Sequence, residues 1–342
     1  MLYKDKREEK LYLKQSKRDN KKVVKRKKEN NEEIAVKEEE KEHKVSRRGK
    51  VLRELIEDVT SNNLIGQKFK NGELRKKLVE PEWKCPKGYE LALITMDNFT
   101  MEYLTQIGST SEDVILQLHG GGYVGAMRNA YRSFAGLYSE VSRGNAVLTI
   151  DYRVAPEDPY PAALEDALCA YKWLLKNGYD GRHIIIGGDS AGGGLAMALC
   201  MYLKDHHIEL PKAIIAMSPW TDLTASGESY KTNYELDPLF GNTMDSLIFN
   251  KDYVGDADET NPYISPLYGD FTDFPPMLIQ VGTYEMLLSD STSAAKKARS
   301  AGVDVKLSVY EGMFHVFQMA MLMIPESKHA WKEVGRFIGG LK

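Results

Sequence analysis

The chain has 342 residues, of which 42% are hydrophobic and 10% aromatic, enough for one large core or two modest ones in a globular protein. It contains no run of about 18 apolar residues, which excludes a spanning helix, and its three cysteines (Cys85, Cys169, Cys200) lack the paired spacing of a disulfide framework or zinc site. The net charge of −3 is unevenly spread: residues 1–50 hold 19 Lys/Arg against 11 Asp/Glu, the remainder 27 against 38, so a basic arm precedes an acidic body that has no electrostatic reason to seek nucleic acid.

Residues 1–48 read as a charged, solvated N-terminal arm. Its opening, MLYKDKREEK, carries charge without a following apolar stretch, so no secretory signal is expected. With the unpaired cysteines, this gives a cytoplasmic expectation. Tyr12, Val23, Ile34, Val45 and Ile56 recur every eleven residues, which would align them along one helix. One apolar residue per three turns buries little.

Residues 49–342 read as one α/β domain. KVLRELIEDV, from residue 50, has helical periodicity. Strands are then predicted at Leu91–Thr95, Asp113–Leu118, Ala146–Ile150, His183–Ile186, Ala213–Met217, Met277–Val281 and Val305–Tyr310. Helical patterns fall at Tyr131–Val141, Ala162–Leu175, Gly192–Lys204, Ser291–Ala301 and Glu326–Ile338. This alternation implies a mostly parallel sheet with helices on both faces, and the apolar-rich runs IIIGG, IIAM and MLIQVG suit strands covered on both sides. Between Trp220 and Phe274 the alternation lapses into turn-rich text, an insertion of the size that forms a lid.

Gly188-Asp189-Ser190-Ala191-Gly192 matches G-x-S-x-G, a weak pattern alone. Here it follows a buried strand and opens a helix, the setting of a nucleophile elbow. Trypsin-like proteases use a similar string, but on an all-β fold with the histidine ahead of the serine. A serine hydroxyl needs a base. Of seven histidines, only His315 and His329 follow the acid position in the order serine, acid, histidine. His329 lies in a helical pattern, whereas His315 lies just past the last strand, so His315 is the candidate base. The acid belongs after MLIQVG. Glu285, three residues past Gly282, is the favoured candidate; Asp290 is the alternative, better explained as a helix N-cap. HGGGY follows the strand at 113–118. The N–H groups of Gly121 and Gly122, with that of Ala191, are candidates for an oxyanion hole. His119 is expected to brace that loop. No GK[ST] follows it, which argues against a phosphate cradle, and no cofactor or metal is expected.

The motifs HGGGY, DYRVAPEDPYPAALED (151–166), GDSAGGGLA, SPWTDL (218–223) and GMFHVF together resemble the hormone-sensitive-lipase-like family of α/β-hydrolases, over roughly residues 80–340. The resemblance implies an α/β-hydrolase fold with a helical cap and hydrolysis of short- to medium-chain carboxylic esters without a cofactor. The cap would come from about 51–75 and 221–265. The family's acid is usually an aspartate about thirty residues before the histidine; Glu285 stands in that place, 30 positions before His315. Asp158 stands where many relatives have histidine. An amidase or deacetylase would use the same triad. A non-catalytic small-molecule-binding protein is the other rival, as in the plant gibberellin receptor, which lacks the histidine; the presence of His315 favours the enzyme. The expected partner is a small-molecule ester, and the sequence does not decide between monomer and homo-oligomer.

Overall fold

The structure, a computed structural model, describes residues 45–60, 80–242 and 246–341. The arm up to residue 44, residues 61–75 of the expected cap, residues 243–245 of its second segment and the apolar positions 12, 23 and 34 lie outside the described residues.

Eight strands form one sheet: β1 (Tyr89–Thr95), β2 (Thr100–Gln106), β3 (Val114–Leu118), β4 (Ala146–Asp151), β5 (Ile184–Asp189), β6 (Ala213–Met217), β7 (Met277–Gly282) and β8 (Val305–Tyr310). Their order is β1-β2-β4-β3-β5-β6-β7-β8. Strand β2 runs antiparallel to both β1 and β4, and from β4 to β8 every pairing is parallel. The long helices are α1 (Arg47–Thr60), α2 (Asn129–Val141), α3 (Ala162–Lys176), α4 (Ala191–Asp205), α5 (Leu288–Ser300) and α6 (Pro325–Gly340).

Alternate residues of each central strand feed opposite faces, which explains their continuous apolar text. Leu116, Leu148, Ile186, Ala216 and Ile279 pack with α3, α4 and α5 residues such as Tyr171, Leu195 and Ala295. Ile115, Val147, Ile185, Ile215 and Leu278 pack on the other face with α2 and α6. There, Phe134 and Tyr138 each meet the Trp331 ring edge-on at 5.0 Å.

The seven predicted strands and five predicted body helices all appear, within a few residues at their ends. Strand β2 was not anticipated. Its text, TMEYLTQ, places a charge at Glu102 on the inward side, which breaks the apolar alternation. Glu102 is buried because its carboxylate accepts from the Arg132 guanidinium on α2, at 2.6–3.0 Å. The charge is tolerated inside the strand because it is hydrogen-bonded to its partner.

The insertion between β6 and β7 is built mainly of turns. Its regular pieces among the described residues are a four-residue helix (Ser229–Thr232) and 3₁₀ turns at Leu247–Phe249 and Pro266–Tyr268. Its Tyr253 stacks on Tyr123 beside the glycine-rich loop, with ring centroids 3.7 Å apart.

Candidate active site

Strand β5 ends at Asp189 and α4 begins at Ala191, leaving Ser190 alone on the bend with φ 53° and ψ −122°. The neighbourhood must be small for this turn to exist. A Cβ on Gly192 would lie 2.1 Å from the Leu118 carbonyl oxygen, and one on Gly120 would lie 2.3 Å from Asp189 Oδ2. The bend is stitched to the turn after β6: Ser190 N–H donates to the Met217 carbonyl at 2.9 Å, and Trp220 N–H donates to the Ser190 carbonyl at 2.9 Å. Ala191 is the first residue of α4, so its N–H is among the four that have no acceptor within the helix. The positive end of the helix dipole lies beneath Ser190.

His315 follows β8 and is 6% exposed. Its Nε2 is 2.9 Å from Ser190 Oγ and its Nδ1 is 3.0 Å from Glu285 Oε2. A carboxylate only accepts, so in the neutral ring Nδ1 carries the proton and Nε2 accepts from the serine hydroxyl. The Phe240 ring lies 4.7 Å from the imidazole.

Glu285 is fully buried, in the turn after β7. Its Oε1 accepts from Gly282 N–H at 2.5 Å and from the Ser218 hydroxyl at 2.8 Å, leaving Oε2 for the histidine. Ser218 Oγ in turn accepts from Val316 N–H at 3.1 Å, so one hydroxyl ties the carboxylate to the loop of His315. Asn233 Nδ2 donates to the Glu285 carbonyl at 2.7 Å and to the Thr283 carbonyl at 3.0 Å. Asp237 Oδ2 accepts from Met286 N–H at 2.8 Å.

Sequence reasoning singled out none of Ser218, Asn233, Asp237 and Phe240. Only Ser218 carried a signal, as the first residue of SPWTDL. The other three come from the turn-rich insertion, whose text has no periodicity to place them.

Asp290 stands elsewhere. The N-cap of α5 is Leu287, and Asp290 lies in the first turn of the helix. Its Oδ2 accepts from the N–H groups of Thr221 and Asp222 at 2.8 and 2.9 Å. Expecting an N-cap there was wrong: the side chain turns inward to cap a neighbouring loop instead of its own helix. Burial pushes its carboxyl well above the usual aspartate range, with nearby Asp222 adding to the rise.

Gly121 and Gly122 follow β3 with φ of 113° and 63°, in the left-handed region. The Gly121 carbonyl accepts from Val124 and Gly125 N–H at 3.2 and 2.9 Å, folding the loop back on itself. His119 stacks on Tyr152, with centroids 4.0 Å apart and planes 4° apart, and its Nδ1 lies 2.7 Å from the Gly120 carbonyl. Burial lowers the pKa of this ring, and the stacked neutral imidazole braces the loop. Asp189 is buried beside it, with Tyr131 O–H donating to Oδ2 at 3.3 Å. Burial pushes the Asp189 carboxyl up to about 7. The Asp158 side chain is 43% exposed, 4.0 Å from the Arg153 guanidinium; that cation also meets Glu165 and Asp166, at 3.1 and 2.8 Å.

Among the described residues, no group of three or more His, Cys, Asp or Glu side chains could hold a metal, and no helix is long and apolar enough to cross a membrane. The arrangement offers a hydroxyl, an imidazole and a carboxylate in series. Such a series can move a proton off a nucleophile and onto a leaving group.

Residues 115–319 match a family described as alpha/beta hydrolase fold. An acetyl-hydrolase of Streptomyces hygroscopicus is 36% identical over 249 residues, covering 72% of this chain and 81% of that protein. An esterase of Acinetobacter venetianus is 35% identical over 234 residues, covering 68% and 77%. A crystal structure of EstE5 soaked with p-nitrophenyl butyrate superposes with a TM-score of 0.76 at 34% identity, over 86% of this chain and 98% of that one. A crystal structure of an esterase from the bacterial hormone-sensitive lipase family gives 0.74 at 33%, with the same coverage.

Proposed function

Because the chain belongs to the alpha/beta hydrolase fold family, in its hormone-sensitive-lipase-like branch, we propose that it is a serine carboxylesterase acting on short- to medium-chain carboxylic esters. The observation that carries the reading is the unbroken hydrogen-bonded series Ser190–His315–Glu285, at 2.9 and 3.0 Å. Ser190 Oγ attacks the ester carbonyl while His315 Nε2 takes its proton, and Glu285 stabilises the imidazolium that forms. The N–H groups of Gly121, Gly122 and Ala191 hold the oxyanion; each such donor is worth about 10²–10³ in rate. Collapse of the intermediate breaks the bond to the alcohol, which leaves with the proton from His315. Water then attacks the acyl-Ser190 by the same route, releasing the acid and restoring the hydroxyl.

The relatives named acetyl-hydrolase and esterase, and the neighbour soaked with a butyrate ester, support a short acyl group. A cap over the site, from about 51–75 and 221–265, belongs to the same reading; Asn233, Asp237 and Phe240 from its second segment lie against Glu285, Met286 and His315. The three unpaired cysteines suit a reducing cytoplasm.

Ser190→Ala is expected to lower kcat on p-nitrophenyl butyrate about 10⁴-fold or more with the fold retained. Turnover near that of the unaltered protein would overturn the reading.

A further inference from the structure

One side chain of helix α1 touches both turns that carry the relay. The guanidinium of Arg53 donates to the Gly312 carbonyl at 2.9 Å, three residues before His315. The same group lies over the Tyr284 ring, 4.0 Å from its centroid, one residue before Glu285. Those two turns are already joined to each other. Tyr284 N–H donates to the Met313 carbonyl at 2.9 Å, and Gly312 N–H donates to Thr283 Oγ1 at 2.8 Å. Arg53 therefore grips a preassembled pair of loops from the outside.

The helix itself is anchored for that task. Ser46 caps its start, accepting from Gly49 N–H at 2.9 Å, while its own N–H and O–H donate to the Glu326 carboxylate at 2.6 and 3.0 Å. Glu326 opens α6, which also packs beneath the sheet. Leu52 and Ile56 pack with Met313, Phe314 and Phe317 around the His315 loop. The approach is close: a Cβ on Gly49 would lie 3.0 Å from Met313 Cε. At the far end, the Thr60 hydroxyl donates to the Pro238 carbonyl, beside Asp237 and Phe240.

We infer that α1 is a clasp on the acid and base loops and that Arg53 is a positioning residue for the Glu285–His315 pair. The inference rests on the serine-esterase reading above and adds to it a residue outside the Ser190–His315–Glu285 series. Arginine suits the position for two reasons. Its planar cation stacks on the tyrosine ring while its edge N–H reaches the carbonyl, a combination no neutral side chain offers. The carbonyl and the ring come from different loops, so fixing both to one rigid group fixes the separation of the imidazole from the carboxylate. A misplacement of about 1 Å can cost about 10²-fold in rate, so partial loosening is expected to cost about tenfold.

The test compares Arg53→Met, Arg53→Lys and Ser190→Ala in the full chain with p-nitrophenyl butyrate, well below each variant's Tm. A positioning role predicts that Arg53→Met lowers kcat about tenfold while KM moves less than about twofold. The rate of inactivation by diethyl p-nitrophenyl phosphate, which reports the attack step of the relay without its hydrolytic second half, should fall with kcat. Arg53→Lys, which keeps the charge but not the planar fork, should recover only part of the loss. Tyr284→Leu, which removes the ring and keeps Arg53, gives an independent second variant with the same expected split. Arg53→Met and Tyr284→Leu with unaltered kcat and inactivation rate would overturn the clasp alone, provided Ser190→Ala is silent. Turnover surviving Ser190→Ala would overturn the esterase reading and the clasp with it.

Discussion

The turns around Ser190 and His315 and the open groove of this molecule differ in how their backbones are held. At the carboxyl end, Tyr123, Ser190, Ser218 and Val316 all take positive φ, between 48° and 60°. For Val316, a β-branched residue, this is a marked outlier. Each such position costs on the order of 1–3 kcal/mol and persists only where its surroundings over-determine it. The surroundings here are buried polar bonds: Ser218 to Glu285 and Val316, Ser190 to Met217, Trp220 and His315.

The amino end holds a groove of about 600 Å³ lined by Tyr103, Trp173, Tyr179, Asp180 and His183, among others. Of its lining residues only Gly178 has positive φ, a conformation glycine takes without strain. In that lining, Asp180 pairs with the exposed Arg182 at 2.7 Å and His183 Nδ1 lies 2.8 Å from Asp113, which also pairs with Lys212 at 2.8 Å. The groove's own lining is thus relaxed, whereas the turns around Ser190 and His315 are strained. Arg143, His207 and Asp273 near the amino end also take positive φ but are exposed. Buried partnering of strained positions, rather than strain alone, therefore marks the candidate site.

Substitutions at the two ends should differ accordingly. The largest effect is expected at the acid. Glu285→Gln leaves the shape but removes the charge that holds the tautomer, so kcat should fall about 10⁴-fold. Asp290→Asn should leave kcat within about threefold, because Asp290 is already held towards its neutral form and Asn can still accept from Thr221 and Asp222. The reverse pattern in steady-state kinetics would transfer the acid's role to Asp290.

A smaller effect, on stability, is expected at Asp189. Its folded pKa of about 7 lies above the ~3.9 of an unfolded aspartate. Between those values the native state keeps a proton that the unfolded state has released, so stability falls as pH rises from about 4 to about 7 and stays lower above that. Asp189→Asn removes this loss. Its gain in Tm over the unaltered protein should be larger at pH 8 than at pH 4.5; a gain independent of pH would contradict the assignment. The smallest effect belongs to the amino end. Asp113→Asn should cost about 1 kcal/mol or less in urea unfolding and leave kcat unchanged. A loss of activity there would break the contrast between the two ends.

The sequence carried the parallel strands, because the central ones write three or more apolar residues in succession, as in VIL, AVL, III, AIIAM and MLI. It carried Ser190 through the glycines that the bend requires, and His315 through its place after the last strand. Those positions lie on turns tied to regular elements. The antiparallel strand β2 was hidden by Glu102, whose partner Arg132 lies 30 residues away. Asn233, Asp237 and Phe240 were hidden for a related reason: their contacts are made across the fold by an insertion without periodicity. Asp290 misled because a short acid before a helix has a local explanation, capping, and the structure gives it a distant one.

The most direct measurement is the mass of the intact protein after treatment with diethyl p-nitrophenyl phosphate. The account predicts one diethylphosphoryl group, mapped by peptide mass to Ser190, absent in Ser190→Ala and formed far more slowly in His315→Ala. Labelling of another residue, or of His315→Ala at the unaltered rate, would contradict it.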